Sequence, residues 1–240
     1  MERFFTFSNF SKFPEIIHGI SNRSFGDMRF GKIAEEEVIK NRKIFFEELG
    51  IDISEVVVPT LAHGTKIKTV EAKDKGRGST ADGLITQDKN LYLMVTVADC
   101  LPIFIYDPIL KIVGVFHAGW RGIIGQIVLK AIEKFKTLGT DPENILVGVG
   151  PGICQKHFVV SNDVLNSFLE IYPFATFVRN NHGYVDLKKA VRKDLIRIGI
   201  LEENMEISNT CPACENGLYG SFRKEGQSAP AAAAVIGMKK

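Results

Sequence analysis

Three side chains in this sequence are donors that can ligate a transition metal or run nucleophilic chemistry: His63 in LAHGTKI, Cys100 in VADC and His117 in FHAGWRG. Cys100 closely follows the apolar run Leu91–Ala98, and His117 follows the run Ile112–Phe116. Short apolar runs rich in β-branched and aromatic residues, bounded by turn signals, read as buried strands. Each run therefore delivers its thiol or imidazole on a rigid support. Two imidazoles and a thiolate suit zinc, and three protein ligands leave a fourth position open for chemistry. Their spacing matches no zinc-finger pattern, and His63 beside Gly64 also reads as a plain turn residue. A thiol hydrolase is the other chemistry these atoms allow, with Cys100 as nucleophile and His117 as base.

Two further residues could assist. Asp82, in TADGLIT, is either a catalytic carboxylate or an Asx-type turn residue ahead of a strand over Leu84–Thr86. Gly119, Trp120, Arg121 and Gly122 fall between a strand end and the first turn of a helix, where unpaired N–H groups and the positive dipole end converge. Arg121 adds a planar, permanently charged fork suited to phosphate. Turn glycines beside a surface arginine are the plain alternative.

The elements that must hold these groups are legible in part. Residues 1–30 read as an irregular or edge-strand entry, and the helix pattern of Gly31–Leu49 ends at Gly50. Val56–Val58 is a short strand ahead of His63, and the polar, Gly-rich stretch 71–79 reads as a mobile loop. Ile124 to Leu138 repeats at three- and four-residue spacings, which predicts one helix closed by Gly139. Ile145–Val149 is a strand. Ser161 and Asp186 are N-caps for helices over 162–171 and from Leu187 to Ile198. A polar turn spans Arg179–Gly183 with His182 exposed, and Ala231–Ile236 closes the chain as a strand or short helix.

The chain has 240 residues, 45% hydrophobic and 24% charged, which is enough to bury a substantial core. With 30 basic and 28 acidic residues in mixed order, nothing points to nucleic acid or a membrane surface. No apolar run approaches bilayer length and no leader is apparent, so a soluble, cytoplasmic protein is expected. Four cysteines are too few for a disulfide scaffold. Cys211 and Cys214 form CPAC, half of a zinc site or a redox pair by spacing; with no second Cys-x-x-Cys they read as two loop cysteines. No dinucleotide or Walker-type phosphate motif is present. Loose alternation of strands and helices predicts one α+β domain over residues 1–240, with mixed β-sheets and helices packed outside.

TADGLIT, ADC followed by LPIFIYDP, FHAGWRG and VGPGI, in this order, resemble the YfiH-type laccase-domain family. The resemblance implies zinc held by His63, Cys100 and His117. It implies phosphorolysis of purine nucleosides (adenosine, inosine, methylthioadenosine) together with adenosine deamination; Asp82, an acid of the family motif, is the candidate acid–base group, and the Gly119–Gly122 turn with Arg121 the candidate phosphate seat. The substrates would be a small nucleoside and phosphate. Some relatives are called peptidoglycan editing factors, which connects the thiol-hydrolase alternative to cell-wall precursors. The older polyphenol oxidase label would require copper, but five histidines are too few for a multicopper cluster. His157 stands where the family usually has Tyr, so it is not assigned as a ligand. Ser221-Phe222-Arg223-Lys224 keeps most of the family's Ser-Phe/Tyr-Arg-Arg segment, which makes Arg223 a second anion contact, whereas Ser228-Ala229-Pro230 replaces its Thr-Gly-Arg.

Overall fold

Leu91–Val97 and Leu101–Asp107 are apolar along nearly their whole length, with no polar face to offer water. Such strands need cover on both sides. The computed structural model, which describes residues 3–75 and 79–240, supplies that cover in four layers. The chain opens with β1 (Phe4–Phe5), β2 (Ile16–Ser21), α1 (Glu35–Leu49), β3 (Val56–Val57), β4 (Ile67–Thr69) and β5 (Gly83–Thr86). Then come β6 (Leu91–Val97), β7 (Leu101–Asp107), β8 (Ile112–Ala118), α2 (Trp120–Ile124), α3 (Ile127–Thr137) and β9 (Leu146–Val149). The last part holds β10 (Val159–Val160), α4 (Asn162–Ile171), β11 (Thr176–Arg179), β12 (His182–Val185) and α5 (Leu187–Arg197). It ends with β13 (Met205–Ile207), α6 (Phe222–Glu225) and β14 (Ala232–Met238).

Two sheets face each other, one ordered β1-β2-β14-β6-β3 and the other β13-β9-β7-β8-β5-β4. Side chains alternate across a strand, and the packing follows that alternation. Leu91, Leu93 and Val95 of β6 meet Phe104 of β7 and Val115 of β8 between the sheets. Tyr92 and Met94 turn the other way, onto Phe45 and Phe46 of α1. The far face of the second sheet, including Ile103 and Ile105, packs under α3, α4 and α5 through Ile132, Phe135, Phe168 and Leu195. A small third sheet, β10-β12-β11, lies beyond. Parallel β3–β6 and β9–β13 pairs sit among antiparallel ones, so the α+β architecture with mixed sheets holds.

Several elements differ from the sequence reading. β2 is interior, paired to β1 and β14, rather than an edge entry. α1 begins at Glu35, four residues later than the periodicity predicts, and ends at Gly50 in the left-handed region as expected. The helix expected over Ile124–Leu138 breaks at Gly125 and Gln126: Gln126 takes left-handed backbone, φ 63°, and Gly125 lies where a Cβ would stand 2.6 Å from the Thr65 methyl. Arg179–Gly183 is a hairpin between β11 and β12 with Asn180 and Asn181 both at positive φ; His182 is exposed there. Ser161 occupies an N-cap position without a capping bond, whereas Asp186 Oδ1 does accept from the Lys189 amide. Of the expected mobile loop 71–79, residues 76–78 lie outside those described. Among the described residues no helix is long and apolar enough to cross a membrane.

β2 also buries His18 among Phe7, Phe10 and Phe104, with ring centroids 5.2–6.5 Å away. Its Nε2 accepts the Phe7 amide at 2.8 Å, so the ring must be neutral at that nitrogen. Burial pulls its pKa down to about 4, against a weaker opposing pull from Glu206. The unfolded chain, with an ordinary histidine near 6.5, therefore takes up the proton first. Stability is full at neutral pH and is lost as the pH falls from about 6.5 towards 4, by roughly 3 kcal/mol from this group. Urea unfolding across that range is expected to show a markedly flatter pH dependence for His18→Gln than for the native chain; equal slopes would place the pH sensitivity elsewhere.

Candidate active site

Two chain segments cross from one sheet to the other at the same rim, and each carries a donor. β6 belongs to the first sheet and β7 to the second, so Ala98, Asp99 and Cys100 must make the crossing. β3 and β4 are divided the same way, and His63 lies in their connection. β8 brings the third donor: His117 pairs with Pro102, which sets Cys100 opposite Gly119. A Cβ at Gly119 would stand 3.1 Å from Cys100 Sγ and 3.5 Å from His117 Cε1, so this glycine is what lets the two side chains share the space. The His63 and His117 rings meet edge to face with centroids 4.8 Å apart. His63 at φ 57° and Asp99 at φ 79° both hold left-handed backbone, uncommon for residues with a Cβ and a form of strain that concentrates at functional sites.

All three donors line a cleft of about 830 Å³, within the range of small-molecule sites. Burial drives the His117 imidazole down to about 4, with His63 adding to the effect and Asp82 opposing it. Its Nδ1 is buried with no hydrogen-bond partner. Burial, with Asp99 contributing, pushes the Cys100 thiol up to about 12. Asp82 sits behind this wall, fully buried. Its carbonyl accepts the His117 amide at 2.7 Å and its Oδ1 accepts the Ala62 amide at 3.0 Å, while Oδ2 is unpartnered. It thus ties the His63 loop to the strand that carries His117.

The opposite walls are aromatic and cationic. The Arg121 guanidinium stacks on Trp120 at 4.3 Å and makes no ion pair among the described residues. Arg223 is anchored twice: its amide donates to Asp99 Oδ2 at 2.7 Å and its Nη1 to the Val159 carbonyl at 2.8 Å. Phe30, Phe158 and Phe222 complete the lining. The short α2 starts at Trp120, so the anion seat read from the sequence comes down to Arg121 with Arg223 nearby.

Sequence reasoning quoted Asp99 only as a neighbour of Cys100. Its carboxylate in fact fastens a cleft wall, accepting from Ser221 Oγ at 2.8 Å as well as from Arg223. Outside the cleft, Cys211 and Cys214, half of a zinc site by spacing, meet two residues the sequence did not join to them. Cys154, His157, Cys211 and Cys214 place their ligand atoms all within 4.8 Å of one another. The available signal was the repeated three-residue step, Cys-x-x-His in CQKH and Cys-x-x-Cys in CPAC.

Asp99→Ala strips both donors of their acceptor and removes a residue type that tolerates left-handed backbone. A stability loss of about 2–3 kcal/mol is expected, and a smaller one for Asp99→Asn, which keeps an acceptor and the backbone preference. Thermal unfolding of the two variants checks the ranking; equal losses would assign the effect to the carboxylate charge, and negligible losses would mean that its bonds contribute little.

The chain is similar to known proteins along most of its length. The family profile described as multi-copper polyphenol oxidoreductase laccase matches residues 16–239. The chain is 28% identical over 238 residues to the purine nucleoside phosphorylase YlmD of Bacillus subtilis (strain 168), covering 92% of this chain and 86% of that one. It is 30% identical over 202 residues to adenosine deaminase RL5 of an unknown prokaryotic organism, covering 79% and 77%. Among solved structures, YlmD from Geobacillus stearothermophilus superposes with a TM-score of 0.90 at 26% identity, covering 95% of this chain and 93% of that chain. With the profile spanning nearly its whole length and the fold shared, the chain belongs to the YfiH-type family of laccase-like proteins.

Proposed function

We propose that this cleft is the active site of a zinc-dependent purine nucleoside phosphorylase that also deaminates adenosine, with His63, Cys100 and His117 holding the ion. The names of the relatives supply the substrate class. The observation that carries the reading is the orphaned His117 Nδ1, buried beside the His63 ring on the wall that also bears Cys100. A buried polar atom without a partner is costly and asks for a ligand. Two nitrogens and one sulfur from three segments form a donor set that suits zinc and leaves a position open. Once bound, zinc would supply a water with a pKa near roughly 7 and a fixed positive charge beside the substrate.

The remaining work falls to the protein's own groups. Phosphorolysis needs a phosphate oxygen held against the anomeric carbon while the base departs with a proton. Arg121, braced on Trp120 and unpaired among the described residues, fits that phosphate as a planar fork, with Arg223 beyond it. Trp120, Phe158 and Phe222 offer flat faces for a purine ring. Deamination exchanges the C6 amino group for a water oxygen and releases ammonia. Asp82, buried behind the cleft wall with Oδ2 unpartnered beside Gly64, is the proposed acid–base group, reaching the cleft by way of the His63 loop rather than by touching substrate.

Two other readings fit less well. A thiol hydrolase needs a thiolate beside an imidazolium, yet the environment holds the Cys100 thiol up near 12 and His117 down near 4, the opposite of that pair. A multicopper oxidase needs more imidazoles than the cleft offers, since His18 is committed to the Phe7 amide and His182 is exposed on a hairpin.

Metal analysis of the purified protein, paired with assays on adenosine, inosine and methylthioadenosine with and without phosphate, tests the proposal. Purine release that requires phosphate, deamination that does not, and loss of both on chelation with recovery in Zn²⁺ are expected. Activity that survives chelation but not alkylation would favour the thiol reading and sink this one. Cys100→Ala is expected to remove both cleft metal and turnover with the fold intact. Arg121→Ala should raise the phosphate KM by about tenfold or more while leaving deamination near its native rate.

A further inference from the structure

We propose that Cys154, His157, Cys211 and Cys214 form a second metal site, a closed structural zinc centre that fastens two walls of the cleft together. The case is independent of the reading of the cleft. Zinc bound tetrahedrally, with Zn–S about 2.3 Å and Zn–N about 2.0–2.1 Å, sets sulfur–sulfur edges of about 3.8 Å and sulfur–nitrogen edges of about 3.6 Å. The measured separations are 3.8 Å for Cys154 Sγ to Cys214 Sγ, with 3.6, 3.8 and 3.4 Å from His157 Nδ1 to Cys154, Cys211 and Cys214. A disulfide would need two sulfurs about 2.05 Å apart, and all four cysteines are free. All four atoms lie within 4.8 Å of one another, and four of the six edges thus match the size zinc requires. Three thiolates and one imidazole use up its four positions, the mark of a structural rather than a catalytic centre.

The fold explains why these residues meet. β9 and β13 run parallel as neighbours, so the chain leaves both at the same end. Cys154 lies five residues beyond Val149 and Cys211 four beyond Ile207. Each pair is drawn together by a tight turn: the His157 amide donates to the Cys154 carbonyl, and the Cys214 amide to the Cys211 carbonyl, both at 3.0 Å. The Cys154 amide points at Cys211 Sγ at 3.3 Å, an orientation that favours a thiolate there. Three thiolates on a divalent ion leave one net negative charge. Lys188 lies close by, its Nζ held by the carbonyls of Ser208 and Thr210 at 2.6 and 2.8 Å on the segment leading into Cys211. Its ammonium offsets that charge.

The joined segments are held by scattered hydrogen bonds, such as Ser208 N to the Val149 carbonyl and Gly152 N to the Thr210 carbonyl, rather than by regular secondary structure. Residues 208–221 contain no helix or strand, and the 150–158 segment is a loop that reaches the core mainly through Ile153 and Phe158. Yet Ile153 and Phe158 line the cleft from one segment, and Phe222 and Arg223 follow directly on the other. A metal bridging the two would fix that wall without touching substrate, and its loss would loosen it.

Metal counting in a cleft-deficient background separates this site from the first. Cys100→Ala/His117→Ala protein, purified under reducing conditions, is expected to retain one zinc per chain. Exchange for Co²⁺ should give the intense absorption of tetrahedral cobalt with thiolate ligands. Adding Cys211→Ser and Cys214→Ser should abolish both the retained metal and that spectrum. In the native chain, Cys214→Ser or His157→Ala should lower Tm by about 10 °C. If the double cysteine variant does not fold, the metal count and spectrum of the cleft-deficient protein decide alone. A cleft-deficient protein that carries no metal and binds no Co²⁺, with Cys154, Cys211 and Cys214 reacting with a thiol reagent equally fast with and without added Zn²⁺, would overturn the proposal. So would a Cys154–Cys214 disulfide in the reduced preparation.

Discussion

The passage of the chain from one sheet to the other between β6 and β7 is the constraint on which the site depends. Both strands are buried on both faces, so neither can drift, and only Ala98, Asp99 and Cys100 are available to join them. A crossing that short forces Asp99 into left-handed backbone and aims the next side chain, Cys100, at the rim. The buried Asp99 carboxylate cannot be left unpaired, since an unsatisfied charge in that position costs several kcal/mol. It is paired by Ser221 Oγ and the Arg223 amide, and its own carbonyl accepts the Ile153 amide. One residue therefore couples the strand crossing to both loops that wall the cleft.

This coupling explains which parts of the molecule were legible in the sequence. Elements defined by local pattern stand where the residues put them: β6, β8 and β9 from their apolar runs, α4 and α5 from their periodicity, and the closing strand β14. His63, Cys100 and His117 were singled out by chemistry, and all three face one cleft. What escaped depends on contacts remote in sequence. The break between α2 and α3 falls at Gln126, which takes left-handed backbone beside the close approach of Gly125 to Thr65, and no helical pattern reveals it. β2 became interior because β14 pairs with it from the far end of the chain. CPAC was read correctly as loop, but its partners lie more than fifty residues upstream, brought near only by the parallel β9–β13 pair. His157 was set aside because it departs from a family pattern, although it stands three residues from Cys154 with a ring nitrogen 3.6 Å from that sulfur.

The cationic side of the cleft shows how little charge is free in a crowded site. Arg42 donates through Nε and Nη2 to the Met28 carbonyl, and Arg29 donates to the Ala229 carbonyl. Arg223 is tied to Val159. These groups shape the wall, with their charge partly spent on backbone oxygens. Arg42, Arg121 and Arg223 each lie over an aromatic ring, but Arg121 alone of the four has no carbonyl or carboxylate bond among the described residues. The departure from the family's Thr-Gly-Arg at Ser228-Ala229-Pro230 fits the same pattern, because the Ala229 carbonyl here accepts from both Arg29 and Lys32.

The two donor sets also divide along a physical line. In the cleft, three donors come from three segments, and the wall is stiffened by strands buried on both sides, so the scaffold needs no ion to stand. An ion held there has a face left for substrate. At the second set, four donors come from two loops outside any helix or strand, fixed by scattered hydrogen bonds and a few buried side chains. Loops of that kind lack the area to offset the entropy of ordering roughly a dozen residues, so a closed ion contributes most there. A rigid rim can leave a coordination position open because its geometry is already determined by the sheets. The loops need a ligand set with no vacancy, since a fourth bond contributes more to holding them together than an open position would contribute to chemistry.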